Sequence, residues 1–221
     1  MTIKEAKQTK KNNAQIDIIK NYMEYVLEHE RTPKSIYKFC KESNIKEDEF
    51  YSQYGSFQAL EKAVWTTFHD HTLDLMEKND KDAMSPREQL LTYYFTLFEL
   101  LTANRSYCLL VLGTHKLVPS NLTQLDFLRK RIKHFSKELI VLGNENKSSK
   151  LFQRSEIIFS EAVWVQFMFL LRFWVKDVSP GFEKTDVAIE KSVQTAFDLF
   201  ETKPMESLLD FGKFLWKENQ I

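Results

Sequence analysis

Ser35-Ile36-Tyr37-Lys38-Phe39-Cys40-Lys41-Glu42-Ser43-Asn44-Ile45-Lys46-Glu47-Asp48-Glu49-Phe50-Tyr51-Ser52-Gln53-Tyr54-Gly55-Ser56-Phe57-Gln58-Ala59-Leu60 reads as two short helices joined by a tight turn, then the start of a long helix. Ser35 suits an N-cap, because its hydroxyl can accept a first-turn N–H. Ile36, Phe39 and Cys40 fall on one helical face. Asn44 tolerates the left-handed conformation that a tight helix-helix turn needs, a job usually given to Gly. A second short helix runs from Lys46 to about Tyr51, and Ser56 caps the long one. Phe39, Ile45 and Phe50 then share a small hydrophobic centre. Two short helices with so tight a turn match a helix-turn-helix.

Upstream, Ile16, Ile19, Tyr22, Met23, Val26 and Leu27 form a helical apolar stripe. Downstream, Ser85-Pro86-Arg87-Glu88 combines an N-cap, Pro at the first helical position and Glu at the third. That helix runs to about Ala103. Val118 to Asn121 breaks the chain and caps a helix from Leu122 to about Val141, and Gly143 to Ser149 is a polar loop. A long helix from about Leu151 to Val175 ends at Ser179-Pro180-Gly181. Thr185 caps another helix, Val187 to Phe200, and Pro204 starts a short last one. With 5 Gly and 5 Pro in 221 residues, turn-rich β architectures are disfavoured. The expected fold class is all-α.

The Leu151–Val175 helix is apolar on every side, so both faces need cover. One face packs on its own domain; the other is most simply covered by a second subunit. Glu161 and Arg172 share one side of it at ~100° per residue, either as a polar stripe at a rim or as an anchor in a ligand cavity. The stretch Ile157–Val175 is the best membrane-span candidate, but Glu161, Gln166 and Arg172 interrupt it. The polar start carries no apolar signal region, so the expected location is cytoplasmic. Cys40 and Cys108 read as buried packing thiols.

The run from Ser35 to Leu60 resembles the signature of the TetR family of regulators, roughly Thr-x-x-x-Ile-Ala-x-x-Ala-Gly-Val-Ser-x-x-x-Leu-Tyr-x-x-Phe-x-Ser-Lys-Glu-x-Leu. Ser35 falls at the Thr, Phe39 at the Ile, Cys40 and Ser43 at the two Ala, Asn44 at the Gly, Ile45 at the Val and Phe50 at the Leu. Tyr51, Ser56 and Leu60 match outright, and Tyr54 takes the Phe position. The resemblance implies a TetR-like fold: a DNA-binding-like domain over 1–62, and a helical ligand-binding and dimerisation domain over 63–221. It implies a homodimer, an operator DNA partner and a small apolar ligand. DNA contacts would come from Lys34, Ser35, Lys38, Lys46, Asp48, Tyr51 and Ser56. Ligand contacts would come from Tyr94, Phe98, Tyr107, Trp164, Met168 and Arg172.

Charge bears on the DNA expectation. The chain carries 31 basic and 31 acidic residues, so any basic patch must be local; the start (Lys4, Lys7, Lys10, Lys11) is the obvious one. The helix expected in the major groove carries Glu47, Asp48 and Glu49 in succession. Each carboxylate about 4 Å from a phosphate costs on the order of 1 kcal/mol even in water. The Lys that usually starts the following helix is Phe57 here. The acids also suit a helix N-terminus, and a carboxylate can read cytosine. The alternative reading is therefore a TetR-fold protein that no longer reads DNA, but carries a lipid or quinone as an accessory protein.

No phosphate loop, nucleophile elbow, zinc spacing or paired acid/base motif occurs, so neither an enzyme nor a cofactor is expected. His69 and His71 sit two apart on a helix and make a poor metal pair. The amphipathic stretch Met205–Glu218 is expected to pack back on the domain, with a membrane surface as the other option.

Overall fold

The computed structural model describes residues 3–79, 81–113, 119–145 and 155–201. Its helices are α1 (Ile3–His29), α2 (Ile36–Glu42), α3 (Glu47–Gln53), α4 (Phe57–Lys78), α5 (Pro86–Ala103), α6 (Arg105–Leu112), α7 (Asp126–Glu145), α8 (Glu156–Lys176) and α9 (Glu183–Glu201). No strand occurs among the described residues, as the composition predicts. The chain divides into two compact units, 1–73 with 97–131, and 74–96 with 132–221. The divisions fall inside α4, α5 and α7, so the first unit holds the whole helix-turn-helix and also α6.

The first unit is built on aromatic rings. Phe39 meets Tyr22, Tyr25, Phe50 and Phe57 edge-on, with centroids about 6 Å apart. Farther up α4, the buried Trp65 donates its Nε1–H to Gln124 Oε1 at 2.7 Å. Gln124 in turn donates to the carbonyls of Val111 and Asn121. Those side-chain bonds explain a correction. The sequence expects a helix from Leu122, but residues Pro119–Leu125 form a 3-10 turn, and α7 begins at Asp126. Asn121 also donates to the Val111 carbonyl, so tertiary partners hold that turn in the tighter form. At its far end α7 continues to Glu145, three residues into the expected polar loop.

In the second unit, Ser85 and Glu88 form the predicted capping box. The Ser85 hydroxyl and N–H both donate to Glu88 Oε2, and the Glu88 N–H donates to Ser85 Oγ. These bonds hold the Glu88 carboxyl below its usual range. Tyr93 lies against Phe135 at 4.6 Å, and Phe159 against Phe197 at 5.8 Å. α8 buries Phe159, Val163, Phe167, Leu170, Leu171 and Trp174. It is also the one unbroken helix among the described residues long and apolar enough to cross a membrane. One face is thus covered; on the other, which the sequence assigns to a second subunit, Ile157, Val165, Phe169 and Phe173 are exposed among the described residues.

The start of α9 brings a second correction. The sequence gives its cap to Thr185; the helix begins at Glu183, and the accepting group is Asp177. Asp177 is 6% exposed. Its Oδ1 accepts from the N–H and hydroxyl of Ser179, and its Oδ2 from the N–H and hydroxyl of Thr185. Burial alone would raise its pKa, but the bonds from Ser179 and Thr185 outweigh burial and hold it at about 2. The depressed pKa makes this contribution to stability complete above the unfolded value near 3.8, and lost as pH falls toward 2. Asp177→Ala is expected to cost about 1–2 kcal/mol at neutral pH. Urea midpoints at pH 7 and pH 3 check it: the gap between variant and parent should shrink at the lower pH. An equal gap at both would overturn this account.

Candidate functional site

The turn between α2 and α3 has the geometry that its sequence implies. Ser35 Oγ accepts from the Lys38 N–H at 3.3 Å. α2 closes with the Ser43 N–H donating to the Phe39 carbonyl and the Ile45 N–H to the Cys40 carbonyl, at 2.9 and 2.8 Å. Asn44 sits at φ 54°, in the left-handed region. Its short polar side chain lowers the cost of that conformation. The reversal buries Phe39 and Phe50 completely, with ring centroids 6.1 Å apart. Ile45 stays half-buried at the edge of this centre.

α3 turns its other side outward. Glu47, Asp48, Glu49 and Tyr51 are exposed, as are Lys34, Lys38 and Lys46 beside them in the chain. Lys46 is the N-cap residue and offers no side-chain cap bond, so the three acids of the first turn are what complements the free N–H groups there. Ser56 Oγ accepts from the Ala59 N–H at 3.2 Å and opens α4. Phe57 is no lost surface contact: its ring stacks on Tyr22 at 5.8 Å and meets Phe39 and Phe50. The side chains of Lys4, Lys7, Lys10 and Lys11 lie outside the described residues.

The six residues expected around a ligand fall in both units. Phe98 and Tyr107 belong to the first unit; Tyr94, Trp164, Met168 and Arg172 belong to the second. Tyr94 is fully buried and donates its hydroxyl to the Val163 carbonyl at 2.9 Å. Trp164 and Met168 are half-buried, and Arg172 is exposed. These last three form one i, i+4 row on α8. Glu161 is ion-paired with Lys133 of α7, which favours the rim reading of the Glu161–Arg172 stripe. Cys108 is buried with a free thiol, and burial pushes its pKa up to about 12. A thiol so rarely ionised is a packing group, and Cys40 is likewise buried and free. His69 is buried and His71 exposed, so their rings face apart. The stretch Met205–Glu218 lies outside the described residues.

A family model described as the tetracyclin repressor-like C-terminal domain matches residues 89–215, more than half of the chain. The protein belongs to the TetR family. The match lies outside Ser35–Leu60, so it stands beside that resemblance as an independent one. TetR-family membership makes the protein a regulator in the general sense and agrees with the all-helical fold. No curated protein matches the chain.

Sequence reasoning missed a polar cavity in the first unit. It is lined by Tyr22, Arg31, Thr32 and Glu61 on one side and by Asn121 and Gln124 on the other, with a volume of about 270 Å³. Only the unusual polarity of Glu61 and Gln124 inside helical apolar patterns hinted at it.

Proposed function

We propose that this TetR-family regulator binds operator DNA as a homodimer, in the cytoplasm, through the helix-turn-helix of residues 1–62. A small apolar ligand held by residues 63–221 controls it. The observation that carries the DNA reading is Asn44 at φ 54°, which folds α2 onto α3 and leaves Lys34, Lys38, Lys46 and Tyr51 exposed around the reading helix. Ser35 and Ser56 cap the flanking helices and bring their N-terminal N–H groups toward a phosphate backbone. Dimerisation is supported by the apolar row Ile157, Val165, Phe169 and Phe173, which runs along i±4 positions of α8, the ridge that packs helix on helix. The ligand reading rests on the Trp164, Met168 and Arg172 row, two partly covered apolar groups ending in a cation.

A gel-shift series with the DNA upstream of the protein's own gene, at low and at physiological salt, tests this reading. Light scattering of the same sample reports the oligomer. The expected result is a dimer that retards the DNA at low salt, with affinity falling steeply as salt rises. A monomer, or no retardation at any salt, would overturn it.

The exposed carboxylates of Glu47, Asp48 and Glu49 favour a second reading, a TetR-fold carrier of a lipid or quinone without DNA binding. Native mass spectrometry after gentle purification separates the two. A co-purifying apolar molecule on a protein that ignores DNA supports the second.

A further inference from the structure

The polar cavity in the first unit joins three observations. First, its charges are unbalanced in a specific way. Among the described residues no carboxylate lies within ion-pair range of Arg31. Glu61, half-buried, accepts from the Tyr22 hydroxyl at 2.9 Å and makes no salt bridge among the described residues. Second, the Tyr107 hydroxyl is buried without a hydrogen-bond partner among the described residues. Burial pushes its pKa up, and the charges of Tyr22, Cys108 and Glu61 add to that. A native hydroxyl left so is an exception that asks for a reason. Third, Glu30, the residue that follows α1, sits at φ 52° and is a left-handed residue that is not Gly. That bend carries Arg31 and Thr32 back to the cavity at some conformational cost.

Size and charge together select a ligand class. A volume of about 270 Å³ equals the liquid share of roughly nine water molecules. Such a space, with its polar lining, admits a small polar molecule. A lone amine would meet the Arg31 guanidinium; a lone carboxylate would meet Glu30 and Glu61. A molecule carrying both charges satisfies each. We propose that this cavity binds a small zwitterion of the α-amino-acid kind, its carboxylate on Arg31 and its ammonium on Glu61. Thr32 supplies a further hydroxyl.

Tyr22 makes the site a regulatory one. Its hydroxyl holds Glu61 of α4, while its ring stacks on Phe57 and meets Phe39 within the helix-turn-helix. An ammonium that draws Glu61 competes with the Tyr22 hydroxyl, so occupancy acts on the α1–α4 junction from which α2 and α3 are hung. This site is separate from the apolar ligand proposed for residues 63–221.

Isothermal titration of the full chain, without DNA, tests the proposal independently of the operator reading. The probes are the proteinogenic α-amino acids one by one, each with its decarboxylated amine and its deaminated acid. At least one amino acid should bind, with its amine and acid counterparts weaker by about tenfold or more. Arg31→Ala and Glu61→Gln should each weaken it by roughly ten- to a hundredfold. Glu61→Gln keeps an acceptor for Tyr22, and Arg31 is exposed, so both variants keep the fold. The proposal is overturned by any of three results: no amino acid binds, an amine or acid binds as well as its parent, or the affinity is unchanged in both variants.

Discussion

Phe39→Ala is expected to cost the protein about 3–5 kcal/mol, the range for removing a fully buried aromatic ring. Phe39 is 0% exposed and is the hub of the aromatic centre. Tyr22, Tyr25, Phe50 and Phe57 all present rings to it, from α1, α3 and the start of α4. Each edge-to-face pair is worth about 0.5–1.5 kcal/mol beyond burial, but these terms share one ring and do not add. The centre cannot collapse to fill the gap, because α2 and α3 are short and the Asn44 turn fixes their crossing. Tyr37 supplies the control: it lies on the same helix, two residues away, and is 59% exposed. Tyr37→Ala should change stability by no more than about 0.5 kcal/mol. Urea unfolding followed by circular dichroism measures both, and hydrogen exchange in α2 and α3 localises the effect. If the two variants lose the same stability, the aromatic centre does not hold the helix-turn-helix together.

That centre was readable in the sequence because its logic is local. Ser35, Phe39, Asn44 and Phe50 lie within sixteen residues, and each residue's intrinsic preference agrees with its place in the turn. The Ser85–Glu88 box was readable for the same reason. What escaped the sequence depends on partners far along the chain. The 3-10 turn at Pro119–Leu125 is held by the Val111 carbonyl of α6. The cap of α9 comes from Asp177, and Thr185, the residue with the better capping credentials, is a donor to it. The cavity of Tyr22, Arg31 and Glu61 combines residues from two helices and a bend, and no periodicity marks such a set. The apolar pattern of α8 asks for cover on both sides, and Ile157, Val165, Phe169 and Phe173 stand exposed among the described residues.

Replacing the three acids of α3 together, as Glu47→Gln, Asp48→Asn and Glu49→Gln, is expected to tighten DNA binding by at least about tenfold at low salt. Each carboxylate about 4 Å from a phosphate opposes binding by on the order of 1 kcal/mol at the dielectric of water. Three such terms would reach about a hundredfold if all stood that close; screening and greater distance reduce this. The gain should shrink as salt rises, because the repulsion is Coulombic. The same change removes carboxylates from a helix N-terminus, at about 0.3–1 kcal/mol each, so the variant should melt somewhat below the parent. Those two effects have opposite signs and are read separately, by gel shift and by thermal unfolding. If Asp48 instead reads a cytosine amino group, Asp48→Asn alone should weaken binding to the preferred DNA and leave unrelated DNA unaffected. A neutralised variant that folds, dimerises and still ignores DNA at low salt would show that more than charge has been lost from the reading helix. The gene-control role would then give way to the carrier role.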